Sequence, residues 1–410
     1  MAEQVETVVV GAGQAGLALS FCLTRLGHEH LLLDRGRIAE RWRSERWDSF
    51  TLLSPNWHTR LPAHCYDGPN PDGFMTREEI VHYFESYAAK FGPPVRTGAT
   101  ATAVQPLASG RWRVEVNGED AIDAANVVIA IGGFQAPHVP SLAAALPVSL
   151  FQIHTVKYRN SAQLPPGGVL VVGSGTSGQQ IAEELCQAGR PVWIAVGHHA
   201  KLPRRYRGRD AVWWMDATGS FDQIVDGAPQ EAHRPGAALS GSGGGHDLDL
   251  RAFARDGVAL VGHLCGVEGT TLTLTDDVEE SLTVAERVEA AFKHDVDEYI
   301  DQNRLEAPAE ELSDEAEALR RVRIVSPTTL NLRAAGITTV IWCTGFRPDL
   351  DWIHAPVLDA KGQPVHRRGV TEHRGLYFLG LQWLYKRKSS FIDGAAEDAE
   401  HVAKYIAATG

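Results

Sequence analysis

Cysteine is scarce in this chain, and its placement excludes more than its number does. Cys22, Cys65, Cys186, Cys265 and Cys343 are odd in count, scattered, and nowhere form a C-x-x-C pair. That excludes a local redox disulfide or a zinc knuckle, offers no metal-ligand spacing, and fits reduced thiols serving as small core residues. Positive charge is also short. There are 39 Lys and Arg against 51 Asp and Glu, a formal net charge of −12. Such a balance argues against nucleic acid or an anionic membrane surface as the main partner. No apolar run approaches the roughly 18–20 residues that span a bilayer. The first β-branched run starts within a few residues of Met1, so no cleaved signal peptide is expected and a cytoplasmic protein is. With 44% hydrophobic and 22% charged residues over 410 positions, the chain reads as two or three ordinary globular domains.

What is present begins with the first 34 residues. Val5-Glu6-Thr7-Val8-Val9-Val10 reads as a buried parallel strand, and Gly11-Ala12-Gly13-Gln14-Ala15-Gly16 follows it directly. A helical stretch runs to the stop at Gly27, and Leu31-Leu32-Leu33-Asp34 forms the next strand. In such a turn Gly11 permits the tight bend, Gly13 lets backbone approach a pyrophosphate, and Gly16 lets helix and strand pack closely. The helix N-terminus offers N–H groups and a positive dipole end to phosphates. Asp34 lies about twenty residues on, where a carboxylate can accept from a ribose hydroxyl. Strand, glycines, helix, strand and acid arrive in order. This is a dinucleotide site.

Next come Glu40-Arg41-Trp42-Arg43 and Ser54-Pro55-Asn56-Trp57-His58. They read either as a surface helix and a proline-broken turn or as a segment wrapping an aromatic cofactor, with Asn56 as a polar hand. Thr76 and Glu79 form a capping box that opens a helix to about Phe91. Residues 95–131 alternate like strands, with Asn117-Gly118 as a hairpin turn. The opening pattern then repeats. Val169-Leu170-Val171-Val172 leads into Gly173-Ser174-Gly175-Thr176-Ser177-Gly178, a helix, and a strand over residues 192–196. This second strand ends in Gly197-His198-His199 without an acid, then Lys201, Arg204, Arg205, Arg207 and Arg209. A basic cluster there would hold a 2′-phosphate that a carboxylate would repel, so the second unit is expected to take NADPH, with Lys201, Arg204 and His198 as candidates. Trp213-Trp214 reads as core or as a pocket wall, and residues 285–319 as a mostly helical cover broken at Pro308. The last strands run over 337–342 and 375–380, the first into Cys343-Thr344-Gly345-Phe346-Arg347-Pro348. Asp393-Gly394 starts the final helix.

With both glycine units and that C-T-G-F-R-P stretch, the chain resembles the class B flavoprotein monooxygenases, the flavin-containing monooxygenase-like group and its short bacterial members. The similarity runs over about residues 5–405. The resemblance implies an α/β fold of two doubly wound Rossmann-like dinucleotide-binding domains, the second inserted in the first. Residues 1–155 and 323–410 would bind FAD, and 156–322, with irregular and helical insertions, NADPH. It places FAD against Gly11, Gly13, Gln14, Ala15, Gly16, Asp34, Arg35, Arg41, Trp42, Ala130, Gly132, Gln382, Asp393 and Gly394. It places NADPH against Gly173, Ser174, Gly175, Thr176, Ser177, Gly178, His198, Lys201, Arg204, Cys343, Thr344 and Gly345. Asn56 becomes the catalytic neighbour of flavin and substrate. Ala130-Ile131-Gly132 is similar to a shorter copy of the Cys343 stretch. In the family's F-x-G-x-x-x-H-x-x-x-Y/F fingerprint, His154 and Tyr158 fit while Val148 and Leu150 depart from it, and the absence of Trp at the last position leans away from Baeyer–Villiger chemistry. The implied reaction uses NADPH and molecular oxygen to form a C4a-(hydro)peroxyflavin that oxygenates a soft nitrogen or sulfur nucleophile of a small molecule. Two alternatives stay open: an NADPH–flavin reductase serving a protein or quinone, and a non-catalytic redox or transport regulator. A homodimer is also left open.

Overall fold

The computed structural model describes residues 2–224, 237–310 and 314–409; parts of the irregular 210–260 stretch and of the helical cover lie outside these. β1 (Glu3–Val10) is exposed at its start and buried over its last four residues, where β-branched side chains face packed layers. α1 (Gln14–Arg25) follows, and β2 (His30–Leu33) lies parallel to β1 with Leu31 opposite Val8. α2 (Arg77–Phe91) opens with the expected box: Thr76 accepts from the Glu79 N–H while the Glu79 carboxylate accepts from the Thr76 N–H at 2.8 Å. β3 (Val95–Arg96) adds to the outer edge of β2. β4 (Ala101–Pro106), β5 (Trp112–Val116) and β6 (Asp120–Ile129) form an antiparallel meander, with Asn117 and Gly118 at φ 54° and 77° in its tight turn.

A second sheet follows. It is built from β7 (Phe151–His154), β8 (Gly168–Val172), then α3 (Thr176–Gln187) leading to β9 (Val192–Ala195). α4 (Ala211–Ala217) precedes β10 (Ala259–Val261). A small antiparallel sheet of β11 (Leu264–Glu268), β12 (Thr271–Leu274) and β13 (Thr329–Asn331) encloses the long α5 (Val278–Asn303) in sequence. β14 (Ile337–Trp342) then enters the second sheet, whose order is β7-β14-β8-β9-β10 and wholly parallel. β15 (Leu376–Phe378) returns to the first sheet beside residues 127–129 of β6, and α6 (Ala395–Thr409) packs on α1.

This pairing corrects both expected boundaries. Residues 151–154 and 337–342, assigned by sequence to the FAD-binding part, are strands of the second sheet. β14 sits between β7 and β8, so neither strand could be cut away without exposing an unpaired buried edge. β6 is shared in a different way. Its first half pairs with β5, and its last three residues pair with β15 on the same edge. One face of the first sheet is covered by α1, α2 and α6 through Leu17, Leu23, Phe84, Tyr87, Val402 and Ile406. The Trp pair is also settled. Trp214 is buried, donates to the Tyr206 carbonyl at 2.7 Å, and clusters with Val296 and Ile300 of α5, so it is core.

Candidate functional site

The two glycine turns have the same stereochemistry. Gly11 and Gly173 have φ of 110° and 107°, and a Cβ on them would lie 2.7 Å from the Ala130 carbonyl oxygen and 2.6 Å from that of Cys343. A Cβ on Gly16 or Gly178 would fall 1.8 or 2.0 Å from the carbonyl oxygen of Gly11 or Gly173. The middle glycines differ: a Cβ on Gly13 or Gly175 would meet nothing within 4 Å. First and third positions are therefore set by the fold, whereas the second is kept bare beside open space, as a backbone that must approach a phosphate requires. Gly13 and Gly175 are also the N-caps of α1 and α3, and neither has a side-chain capping bond. The donor-rich helix starts fit a pyrophosphate at both turns.

Around the first turn, the Asp34 carboxylate accepts from the Ala12 and Gly36 N–H groups, both at 2.8 Å. It thus buttresses the turn and has lone pairs left for a ribose hydroxyl. Gln14 donates to the Ser390 carbonyl at 3.2 Å, and a Cβ on Gly380 would come 2.7 Å from that of Ala15, so the 380–394 stretch sits against the turn. Gly132, at φ 72°, accepts from Gln135 at 2.8 Å, and Gln382 lies near Gly133. Next to Gln382, Trp383 has φ 54°, an uncommon conformation for a bulky residue. Arg35 pairs with Glu45, and Arg41 approaches both Glu45 and the Gln135 carbonyl. Trp42 stacks on Phe84 of α2 with centroids 6.3 Å apart, and so serves packing. Asp393 is buried, and a Cβ on Gly394 would strike the Lys388 carbonyl oxygen at 1.9 Å.

Asn56 is buried in a 3₁₀ turn over Asn56–His58. Its amide donates to the Asn70 carbonyl at 2.9 Å, its backbone N–H bonds Gly73, and its Oδ1 has no partner among the described residues. The turn reading and the polar-hand reading thus coexist. The donor end holds the loop, and the acceptor end is unspent.

At the second turn, the Ser174 hydroxyl bridges both backbone groups of Gly197, donating at 3.0 Å and accepting at 2.9 Å, which ties the turn to the end of β9. Cys343 continues the β14 ladder to Val172, and burial pushes its thiol up. Thr344 donates to the His138 carbonyl, and the Gly345 carbonyl bonds the His154 ring at 3.1 Å. Gly173 abuts Cys343 as Gly11 abuts Ala130, so the two strand ends likened by sequence are structurally equivalent. A cavity of about 190 Å³ opens there, lined by Gly173, Ala195, Gly197, His263, Trp342 and Thr344. It lies at the carboxyl ends of parallel strands, where open α/β sheets take ligands. Exposed His198 stands near it, its ring 5.6 Å from that of His263. Thr176 and Ser177 start α3.

The basic cluster does not converge on this site. Lys201 is paired with Asp249 at 2.6 Å and Glu289 at 3.0 Å. Arg204, fully buried, forks onto Asp210 at 2.5 and 2.9 Å and donates to the Leu53 carbonyl at 2.7 Å. Arg205 bonds two carbonyls, Arg207 pairs with Asp297, and Arg209 lies over Trp213. Lys201 and Arg204 are therefore corrected from phosphate ligands to internal ties, the latter joining the segment before Asn56 to the 204–210 loop. Arg204→Ala leaves the Asp210 carboxylate with the Val212 N–H at 2.8 Å as its remaining tie, and breaking a buried pair costs up to about 3–5 kcal/mol. Urea unfolding should register that loss without a change in preference between NADPH and NADH. An unaltered stability with a fallen NADPH preference would reverse the assignment.

A mixed sheet and a wholly parallel one, each with a bare glycine turn running into a helix without a side-chain cap, are consistent with two Rossmann-type dinucleotide-binding units. Residues 8–208 match the family described as pyridine nucleotide-disulphide oxidoreductase. The chain is 31% identical over 406 residues to an uncharacterized CzcO-like oxidoreductase of Geobacillus kaustophilus, covering 98% of each. It is 33% identical over 204 residues to the indole-3-pyruvate monooxygenase YUCCA1 of Oryza sativa subsp. japonica, about half of each chain. A flavin-containing monooxygenase from Stenotrophomonas maltophilia shares the fold at a TM-score of 0.68 and 20% identity over 99% of each chain. The chain belongs to the flavin-containing monooxygenase-like oxidoreductase family.

Proposed function

We propose that this protein is an FAD- and NADPH-dependent monooxygenase that passes one atom of molecular oxygen to a soft nitrogen or sulfur nucleophile of a small molecule. The observation that carries the reading is the pair of equivalent turns, each with a middle glycine facing open space, inside a chain of this family. Bound FAD would supply the hydride acceptance and the oxygen activation. The chain's own residues bind and orient. The 11–16 turn and the start of α1 hold the FAD pyrophosphate, and Asp34 holds the adenosine ribose. The 173–178 turn, braced by Ser174, takes the NADPH pyrophosphate, with His198 at the rim for the 2′-phosphate. Asn56 turns its free Oδ1 toward flavin or substrate. We read the second unit as inserted between β6 and β15 of the first, and the protein as cytoplasmic.

The purified protein should be yellow and release FAD on heating, identified by chromatography; FMN alone would defeat the assignment. Substrate oxygenation is then tested by mixing the NADPH-reduced protein with oxygen and candidate amines or sulfides, and counting product per NADPH consumed. Complete conversion of NADPH to hydrogen peroxide or reduced quinone, with no product from any nucleophile, would favour a reductase.

A further inference from the structure

Around the start of α6, buried polar atoms from distant parts of the chain lack hydrogen-bond partners among the described residues: His58 Nε2 and both carboxylate oxygens of Asp393. The side chains of His58 and Asp393 are 3% and 1% exposed, and His58 Nε2 stands 3.5 Å from Asp393 Oδ2. That is beyond the roughly 2.7–3.2 Å of an N–H···O bond. The groups around the pair do not satisfy it either. Arg60 reaches only to 3.9 Å from Oδ2 and is half exposed; Lys388 is held by Asp222 at 3.0 Å and Glu397 at 3.5 Å. Asp216, from α4, faces both groups. A buried carboxylate whose two oxygens accept nothing is costly in either protonation state. The imidazole is the nearest group that can relieve it, and Phe221 and Trp57 hold its ring at centroid distances of 5.3 and 5.4 Å. Asp393 itself stands on a loop tied to the first glycine turn by Gln14 and Ser390.

We propose that His58 is a positioning residue for Asp393: it takes one carboxylate oxygen and leaves the other to accept from a hydroxyl or ring N–H of the bound flavin dinucleotide. The proposal rests on the flavin reading above, and nothing in the glycine motifs assigns His58 a role. Burial pushes the Asp393 carboxyl up and the His58 imidazole down, so burial works against both full charges and the imidazole N–H is the group beside the carboxylate that offsets this. Without the imidazole, Asp393 is held more firmly in its protonated form, in which one oxygen donates and the other is a weaker acceptor, until the pH is raised. Its carboxylate fraction, and with it flavin affinity, must then climb with pH.

The test is dilution of the FAD-loaded full chain, followed by recovery of free flavin fluorescence, across about pH 6 to 9. His58→Leu is expected to weaken FAD retention about tenfold or more at the acid end and to recover toward the alkaline end. His58→Gln keeps an amide N–H near the Nε2 position and should stay within about threefold of the parent. Asp393→Asn removes the titrating group, so its loss should be independent of pH and should not add to that of His58→Leu. The Gln and Asn variants, nearly isosteric, decide the matter if the Leu variant does not fold. Parent-like retention in His58→Leu at every pH, an equal loss in His58→Gln, or additive losses would overturn the proposal. A parent chain that holds no FAD would instead overturn the flavin reading, a result visible before any substitution is made.

Discussion

Gly13→Ala should fold like the parent and emerge colourless, whereas Gly16→Ala should fail to fold. The two residues belong to one motif, yet the reasons they are glycine are opposite. Gly13 has φ −86° and ψ −166°, which alanine adopts without strain, and its Cβ would meet no atom within 4 Å. The folded chain gives no reason for its bareness. Only a group brought up to the backbone does, and a methyl there would hold a pyrophosphate away from the N–H groups at the start of α1. Losing several charge-assisted bonds together should weaken FAD binding on the order of a hundredfold or more. At Gly16 the Cβ would lie 1.8 Å from the Gly11 carbonyl oxygen, inside a turn fixed by Ala130 on its other side. Backbone cannot swing aside as a side-chain tip can, so the cost should exceed the roughly 1–3 kcal/mol of ordinary overpacking. Thermal unfolding beside flavin content separates the cases. A yellow Gly13→Ala protein with parent-like affinity would remove the first turn from the FAD site. Gly175→Ala, equally unhindered, should keep FAD and lose NADPH binding.

Those turns were legible in the sequence because their constraints are local. Gly16 and Gly178 answer to carbonyls five residues back, and the strand–turn–helix order is written in the chain itself, although Gly11 and Gly173 also abut the distant Ala130 and Cys343. The capping box of α2 was legible for the same reason, since Thr76 and Glu79 satisfy each other. Sheet membership was not. The apolar run over 337–342 tells that a strand is buried, and nothing in it tells that Val340 and Ile341 lie between β7 and β8. The basic cluster misled for a related reason. Sequence shows the charge of Lys201 but not the acids that neutralise it, Asp249 and Glu289, which lie tens of residues further on; the partner of Arg204, Asp210, is only six residues away, but nothing in the run of bases tells that the two fork together. What remains at the end of β9 is His198 beside His263, itself tied to Asp277 at 2.5 Å, a weaker handle for a 2′-phosphate than a forked guanidinium. Coenzyme preference should accordingly respond to His198→Ala and not to Lys201→Ala, as relative kcat/KM for NADPH and NADH would show. His58 escaped notice altogether. Its meaning depends on Asp393, at the far end of the chain.

Asn56→Leu should leave a protein that still holds FAD and still oxidises NADPH, but yields hydrogen peroxide where the parent yields oxygenated product. Leucine keeps the bulk of the buried side chain and removes both amide functions. One of them is structural. The Nδ2 donor to the Asn70 carbonyl is lost, but that carbonyl belongs to an exposed residue and still accepts from the Gly73 N–H at 3.2 Å, so the loss is that of one ordinary hydrogen bond, about 0.5–1.5 kcal/mol, which a domain of ordinary stability survives. The backbone bond from Asn56 to Gly73 is unaffected by the change, so the turn has a second tie. The other function is Oδ1, buried and without a partner among the described residues, so of the two ends of this amide it is the acceptor that is left for a ligand. An acceptor fixed in a dry site orients a substrate N–H or a flavin N–H without reorganisation. Removing one such preorganised contact can lower the oxygen-transfer step about a hundredfold. Asn56→Asp separates the two functions, because it keeps an acceptor oxygen while abolishing the bond to Asn70. It should therefore lose stability as the leucine variant does and retain more of the coupling to product. Peroxide yield, measured beside flavin occupancy with any accepted amine or sulfide, reads both variants. Loss of FAD or of fold in Asn56→Leu would make the residue a turn element alone, and full coupling to product in that variant would take Asn56 out of the chemistry.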